Sequence, residues 1–246
     1  MLSALISIVR KGSDILYTLL LRFSAPLQSW GSESMYDRRD TDYIPTKSGV
    51  IGMLAAALGR KRDEAVDDLS RLKFGIRVDR PGARLEDFQI TYMGEKLNAN
   101  LANKVYLSDA VFLAGLSYED KVFLKDLEEA LRYPRYALFL GRRSCPPTQP
   151  LVLGIRETDL ESALRDEEWL VPKWQRSAMF RFQNEIPLRI VVDGFCNDAV
   201  KKDVPVSFSP FKREYRYRYV RELKPKIVAG GNIPVSTEHD PMMEMG

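Results

Sequence analysis

The chain has 246 residues, 45% of them apolar, and a formal net charge of +3, values that exclude a disordered or fibrous protein. A chain of this length can bury a full core, as one large domain or two small ones. Because the net charge is small, binding to a polyanion would have to come from clustered positive charge and not from the field of the whole molecule.

The amino terminus predicts neither export nor a membrane span. Residues 1–9 are apolar, but Arg10 and Lys11 follow the run instead of preceding it, which argues against a secretion signal. Charged residues interrupt the stretch before it reaches the roughly 20 residues needed to cross a bilayer. We therefore predict a loosely ordered extension over residues 1–14, a cytoplasmic protein and no membrane partner.

Residues 15–150 predict an alternation of strands and helices. Leu16–Phe23 is dense in β-forming residues, and residues 46–58 suit a helix capped by Thr46 or Ser48 and ended by Gly59. A short helix, a strand, a projecting hairpin, a strand, a helix and a strand follow at residues 61–72, 74–78, about 80–104, 104–116, 119–131 and 136–140. This order predicts an α+β, ferredoxin-like (RRM-like) domain with an inserted β-hairpin thumb.

Residues 151–230 predict a small C-terminal β domain, and residues 231–246 a flexible tail. We expect a helix at 158–165, a linker at 168–177 and strands at 180–182, 186–192 and 211–221. Alternation along the last strand sends Tyr215, Tyr217 and Tyr219 to one face and Arg216 and Arg218 to the other. Tyrosines in such a row more often form the core of a small sheet than a base-stacking platform, so the arginine face is the better candidate for a partner.

Paired arginines provide the first candidate anion site. The apolar run 136–140 and Gly141 indicate a buried strand that ends in a turn, with Arg142 and Arg143 at its exit. Two adjacent guanidinium groups on a rigid turn suit phosphate oxygens. The alternative is that both arginines pair with acidic side chains of the protein.

The segment Thr46-Lys47-Ser48 provides a second candidate. It is not a phosphate-binding P-loop, because Thr46 and Thr41 stand where that motif needs glycines. The helix N-terminus with Lys47 could still hold one phosphate of a polymer, the alternative being a solvated lysine.

The sequence favours a binding protein over an enzyme. The single histidine is His239, close to the end of the chain, and Cys145 has only arginines nearby as charged neighbours. No Cys-x-x-Cys pair is present, so Cys145 and Cys196 are read as free thiols, with a disulfide as the alternative. We expect no cofactor and no metal.

Three stretches together resemble a known family: Leu21-Arg-Phe-Ser-Ala-Pro-Leu-Gln-Ser-Trp-Gly31 with Pro45-Thr-Lys-Ser-Gly49, then Tyr106-Leu-Ser-Asp-Ala110, then Pro134-Arg-Tyr through Leu140-Gly-Arg-Arg-Ser-Cys-Pro146. From about Leu16 to Val228 the chain is similar to the Cas five family of CRISPR-associated RAMP proteins, in the form found in the type I-E surveillance complex Cascade. The third stretch is the most specific of the three.

The resemblance implies a non-catalytic, RNA-binding subunit in antiviral defence. Such a subunit holds the 5′ handle of the CRISPR RNA (crRNA), caps a filament of Cas seven family backbone subunits and abuts the large subunit, so it meets target DNA only indirectly. It also implies that Lys104 and Phe139 contact the handle and that Leu140 and Gly141 line the same groove. The full set of expected RNA-binding residues is Lys47, Ser48, Lys104, Tyr106, Phe139, Leu140, Gly141, Arg142, Arg143, Arg216 and Arg218.

Two alternatives remain open at this point. Type I-C relatives in this family cut precursor RNA without a metal, using tyrosine, lysine and histidine; Tyr43 or Tyr36 with Lys104 would supply two of these groups, but no histidine is available. The second alternative is a purely structural cap whose arginines bind acidic groups of other proteins.

Overall fold

The computed structural model describes residues 16–31, 38–93, 98–181 and 183–230. The predicted extension at 1–14 and tail at 231–246 lie outside these ranges. In chain order the elements are β1 (Tyr17–Ser24), β2 (Leu27–Gln28), β3 (Arg38–Arg39), α1 (Lys47–Ala57), α2 (Asp67–Ser70), β4 (Lys73–Arg80), β5 (Ala83–Met93), β6 (Asn98–Ser108), β7 (Val111–Tyr118), α3 (Lys121–Arg132), β8 (Val152–Arg156), α4 (Leu160–Asp166), α5 (Lys173–Phe180), β9 (Glu185–Asp193), β10 (Ala199–Phe208) and β11 (Arg213–Ala229).

The main sheet has the strand order β10-β11-β9-β4-β7-β1-β8. Each of its last four strands is antiparallel to its neighbours, and with α1 and α3 these strands form the predicted ferredoxin-like unit. The C-terminal strands β9, β11 and β10 do not form a second sheet, because β9 pairs with β4 and thereby continues the same one. The predicted mixed fold is confirmed, with the C-terminal β region added to the open edge of the ferredoxin-like unit.

Helices cover both faces of this sheet. Alternate residues of β1, such as Leu19 and Leu21, join the core beneath α1 and α3, whereas Leu20 faces the opposite side and packs with Leu160 and Leu164 of α4. This division follows from the period of two along a strand, which sends successive side chains to opposite faces. We call these the α1 face and the α4 face.

The predicted thumb is confirmed as a hairpin. Strands β5 and β6 pair antiparallel from Ala83 opposite Ser108 to Met93 opposite Asn98. The strand predicted at 104–116 is in fact two strands, because the chain turns at Asp109, where φ is +55°, before it enters the main sheet as β7.

The predicted strand at 136–140 is wrong. The fourth strand of the ferredoxin-like unit is β8, which pairs with β1 and lies beyond residue 150. After α3 the chain instead turns onto the end of α1, where the amides of Arg135 and Tyr136 donate to the carbonyls of Ala57 and Ala56 at 2.9 and 3.3 Å. These helix-end carbonyls satisfy the amides that a strand would have paired with a neighbouring strand.

Three smaller predictions also need correction. The helix expected over 61–72 shortens to α2, although its apolar positions Val66, Leu69 and Leu72 are buried as predicted. The expected linker at 168–177 contains the start of α5, and the expected strand at 180–182 begins instead with the last residue of that helix.

A buried ion-pair network joins the start of α1 to the C-terminal strands. The amide of Lys47 donates to Asp203 at 3.0 Å, and its ammonium group lies 3.1 Å from Asp193. Arg218 lies 2.6 Å from each of these two carboxylates. Burial raises the pKa of Asp203, but the hydrogen bond and positive charge of Arg218 outweigh burial, so the pKa lies below its ordinary value.

We predict that Asp203→Asn lowers the free energy of unfolding by about 3 kcal/mol at neutral pH, because it leaves Arg218 incompletely compensated inside the protein. Since the pKa of Asp203 is lowered on folding, its carboxylate stabilises the protein above about pH 4 and loses this effect as pH falls through the folded pKa. Urea titrations from neutral to acid pH should therefore show a shallower acid dependence in the variant. Asp126→Asn, at an exposed position on α3, is the control and should match the wild type.

Candidate nucleic-acid interface

The paired arginines lie on a turn that is fixed at three points. The amide of Leu140 donates to the carbonyl of Cys145 at 2.7 Å, and the amide of Cys145 donates to the carbonyl of Arg142 at 2.8 Å. The carbonyl of Leu140 accepts from the amide of Ser29, just after β2, at 3.1 Å. Leu140 and Cys145 are buried, so the turn is anchored in the core of the α1 face. We call residues 140–145 the arginine turn.

Only glycine fits at position 141 of this turn. Gly141 has φ of +89°, and a Cβ atom added there would lie 1.5 Å from the carbonyl oxygen of Ser29. The backbone oxygen cannot give way as a flexible side chain could, because Ser29 is buried and its amide donates to Leu140, and the amide of the next residue, Trp30, donates to the hydroxyl of Thr41. The predicted glycine turn is therefore confirmed, although no strand precedes it.

Arg142 extends from the turn to the base of the thumb. Its guanidinium carbon lies 4.6 Å from the ring centroid of Tyr106, a cation–π contact, and this tyrosine on β6 is 4% exposed. Arg143 is exposed. The buried ring thus fixes one guanidinium group, while the next projects from the same turn.

An open cleft of about 430 Å³ begins beside this contact. On the thumb, Tyr106 lies opposite Leu85 and Lys104 lies opposite Asp87, so alternation places all four on one face of the hairpin. The ammonium group of Lys104 donates to Gln89. The residues that line the cleft are Leu27, Leu85, Glu86, Asp87, Gln89, Tyr106 and Ser144.

The structure brings most of the predicted site together. Arg142 and Arg143 lie on the arginine turn with Leu140 and Gly141, half-buried Phe139 immediately precedes it, and Tyr106 contacts it from the thumb. Lys104 lies two residues farther along β6, where it donates to Gln89. Arg216 is exposed on β11, near the opposite edge of the main sheet from β8.

Lys47, Ser48 and Arg218 do not join this site. Lys47 and Arg218 belong to the buried network with Asp193 and Asp203, and the side chains are only 7% and 9% exposed. The amide of Lys47 is already bound by Asp203, so the predicted phosphate contact at this helix start conflicts with the structure. Ser48 is buried next to Thr46. A buried charge needs a partner inside the protein. Asp193 and Asp203, which are distant from Lys47 in the sequence, are the partners here.

The prediction for the tyrosines of β11 is also wrong. Tyr217 and Tyr219 are 67% and 41% exposed and form no part of the core, and Tyr215 is half-buried. The aromatic face, which was expected to be buried, is the exposed one: Tyr217 and Tyr219 face solvent on the α4 side. Arg218, on the opposite face, points toward α1 and is enclosed.

No sequence pattern points to several of the residues that shape the site. Ser29 contributes a backbone carbonyl and amide, which any residue type except proline could supply. Gln89 is one polar residue among many in the thumb. Cys145 is enclosed by the turn, and burial raises the pKa of its thiol, which therefore stays protonated near neutral pH. Among the described residues no group of three histidine, cysteine or acidic side chains is placed to hold a metal, and no helix is long and apolar enough to cross a membrane.

Comparison with known proteins identifies the family. The family model described as CRISPR-associated protein (Cas_Cas5) matches residues 18–221, which include both the arginine turn and the thumb. The chain belongs to the Cas5 family. The resemblance inferred from the three sequence stretches is thereby confirmed.

Individual relatives support this assignment to the Cas5 family. It is 34% identical over 171 residues to the CRISPR system Cascade subunit CasD of Escherichia coli (strain K12), covering 61% of this chain and 76% of the relative. A chain of a solved CRISPR RNA-guided surveillance complex superposes with a TM-score of 0.71 and 31% identity, over 87% of this chain and 91% of that one. A solved Cas protein gives a TM-score of 0.65 and 37% identity, over 85% and 95%.

We predict that Gly141→Ala disrupts the arginine turn of this Cas5 chain, because the added methyl group collides with the carbonyl of Ser29. The control is Gly154→Ala, where φ is also positive, at +103°, but the nearest atom to an added Cβ is 3.5 Å away. In the control the free energy of unfolding should fall only by the cost of the backbone strain, about 1–2 kcal/mol, as measured by chemical denaturation. Gly141→Ala should lower the free energy of unfolding clearly more. Equal losses of stability in both variants would contradict the close approach of Gly141 to the carbonyl of Ser29.

Proposed function

We propose that this Cas5 chain is a non-catalytic RNA-binding subunit of a CRISPR surveillance complex and that it holds the 5′ handle of the crRNA at the arginine turn. The observation that carries the proposal is the contact of Arg142 with Tyr106 at the base of the thumb, with Arg143 exposed beside it. Single-stranded RNA is recognised by pockets, by stacking and by local positive charge. In this corner the cleft supplies a pocket, half-buried Phe139 supplies a ring and the paired arginines supply the charge.

The rigidity of the arginine turn supports this role. Its backbone is held by hydrogen bonds to Ser29 and within the turn, so little conformational freedom remains to be lost when a phosphate binds. Glu86 and Asp87 line the cleft farther along the thumb and repel phosphates. The RNA backbone therefore follows the arginines, while an unstacked base enters the cleft beside Tyr106.

The partners follow from the family and from the relatives' descriptions. One relative is described as a subunit of Cascade, and one matching structure is an RNA-guided surveillance complex. By extension, this chain caps the filament of backbone subunits in a type I-E complex, abuts the large subunit and meets target DNA only through the assembled complex. The cytoplasm is the compartment in which such a complex meets its RNA.

Absence of catalysis is part of the proposal. Tyr43 is 66% exposed but lines a different groove, beside Pro81 and Met179, and Lys104 is not among the lining residues of that groove. Tyr36, the other candidate, lies outside the described residues. The sequence has one histidine, so a general base or acid of that type is confined to His239.

Charge reversal at the arginine turn tests RNA binding. We expect Arg142→Glu with Arg143→Glu to weaken binding of a crRNA that carries its handle at least about a hundredfold, since two attractive charges become repulsive. The measurement is filter binding with the full chain, together with retention of crRNA when the complex is purified. Arg143→Glu alone provides a variant whose exposed side chain can change without disturbing the contact with Tyr106.

The matched control is Arg62→Glu with Arg71→Glu, which changes net charge equally at two exposed positions near α2. This control should bind with at most a few-fold loss. If the arginine-turn variant retains crRNA and instead loses a protein subunit, the arginines bind acidic groups of a partner and the chain is a structural cap.

Incubation of the full chain with CRISPR repeat RNA in EDTA tests the catalytic alternative. We expect the RNA to remain intact on a denaturing gel, because no histidine stands with Lys104 and a tyrosine in the described residues. Cleavage at one position within the repeat, abolished by Lys104→Ala, would establish a metal-independent endoribonuclease instead.

A further inference from the structure

We propose that the exposed aromatic row of the C-terminal strands is a second nucleic-acid surface, which binds a single strand by base stacking. The row consists of Phe195, Tyr219 and Tyr217, which are 68%, 41% and 67% exposed. It lies on the α4 face of the sheet, whereas the arginine turn packs against the α1 face, so the two surfaces are separate.

The backbone places these three rings side by side. Tyr217 and Tyr219 are two positions apart on β11, so their side chains leave the same face about 7 Å from each other along the strand. The carbonyl of Tyr219 accepts from the amide of Gly194 at 2.8 Å, which places the adjacent Phe195 next to the strand. A row of exposed rings on a paired strand offers successive bases a fixed set of planes.

Cations accompany the rings. The ammonium group of Lys202, which lies opposite Tyr217 on β10, is 5.6 Å from the centroid of that ring. The guanidinium group of Arg221 lies 5.4 Å from the ring centroid of Phe195 and also pairs with Glu161 of α4. Lys202 is exposed and, within the described residues, forms no ion pair with a carboxylate.

This combination favours nucleic acid over a protein partner. Lysine is depleted from the cores of protein interfaces, yet Lys202 lies against Tyr217, one of the three exposed rings. Cations beside exposed rings match a single strand, in which phosphates and unstacked bases alternate. The acidic groups at the row are already engaged: Glu161 pairs with Arg221, and Asp198 accepts from the amide of Phe195 at 2.7 Å.

The test measures binding of labelled oligouridine and oligothymidine of equal length to the full chain by fluorescence anisotropy. We expect Tyr217→Ala with Tyr219→Ala to raise the dissociation constant at least about tenfold. Tyr217→Phe with Tyr219→Phe retains the rings and should stay within about twofold of the wild type. Tyr133→Ala removes a tyrosine that is 80% exposed at the end of α3 and should change nothing.

Each variant is also measured in the Arg142→Glu, Arg143→Glu background, so that the first candidate site does not contribute. Tighter binding of oligouridine assigns the row to RNA, and tighter binding of oligothymidine assigns it to DNA. The proposal is overturned if the wild type binds neither oligonucleotide, or if the alanine variant binds as well as the wild type. It is also overturned if another subunit alone shields Tyr217 from chemical modification while oligonucleotides do not.

Discussion

The interaction on which the rest of the structure depends is the buried pairing of Asp193 and Asp203 with Lys47 and Arg218. It joins three strands of the C-terminal region to the first turn of α1, and so fixes the added strands against the ferredoxin-like unit. Charges buried to this degree are tolerated only when paired, so the loss of one of the four side chains leaves another buried charge without its partner. The arrangement also decides where positive charge is available, because it withdraws a lysine and an arginine from the surface and leaves the arginine turn as a separate basic feature.

The arginine turn depends on a different kind of constraint, which is steric. Gly141 brings its backbone against the carbonyl of Ser29, and this contact fixes the direction in which Arg142 leaves the chain. Tyr106 then holds the guanidinium group by its ring face. The same region of the molecule therefore combines elements from three distant parts of the sequence: the loop after β2, the thumb and the segment after α3. The family match spans all three.

Features governed by local pattern could be predicted from the sequence, whereas features governed by distant partners could not. The cap at Thr46, the stop at Gly59 and the run of β-forming residues in β1 are local, and each is found as expected. The segment 136–140 has the composition of a strand, but the open carbonyls at the end of α1 bind its first amide, and no local pattern reveals them. Arg218 and Tyr217 were assigned to the correct opposite faces, yet which face is buried depends on α1, Asp193 and Asp203.

The turn at Asp109 has a mechanical consequence. The thumb continues through this residue directly into β7, and β7 is paired along its length with β1 on one side and β4 on the other. A pull on the hairpin by a bound cargo is therefore transmitted to an interior strand with two ladders of hydrogen bonds, and not to an edge strand that could be peeled away. The protrusion can bear load while the domain beneath it stays folded.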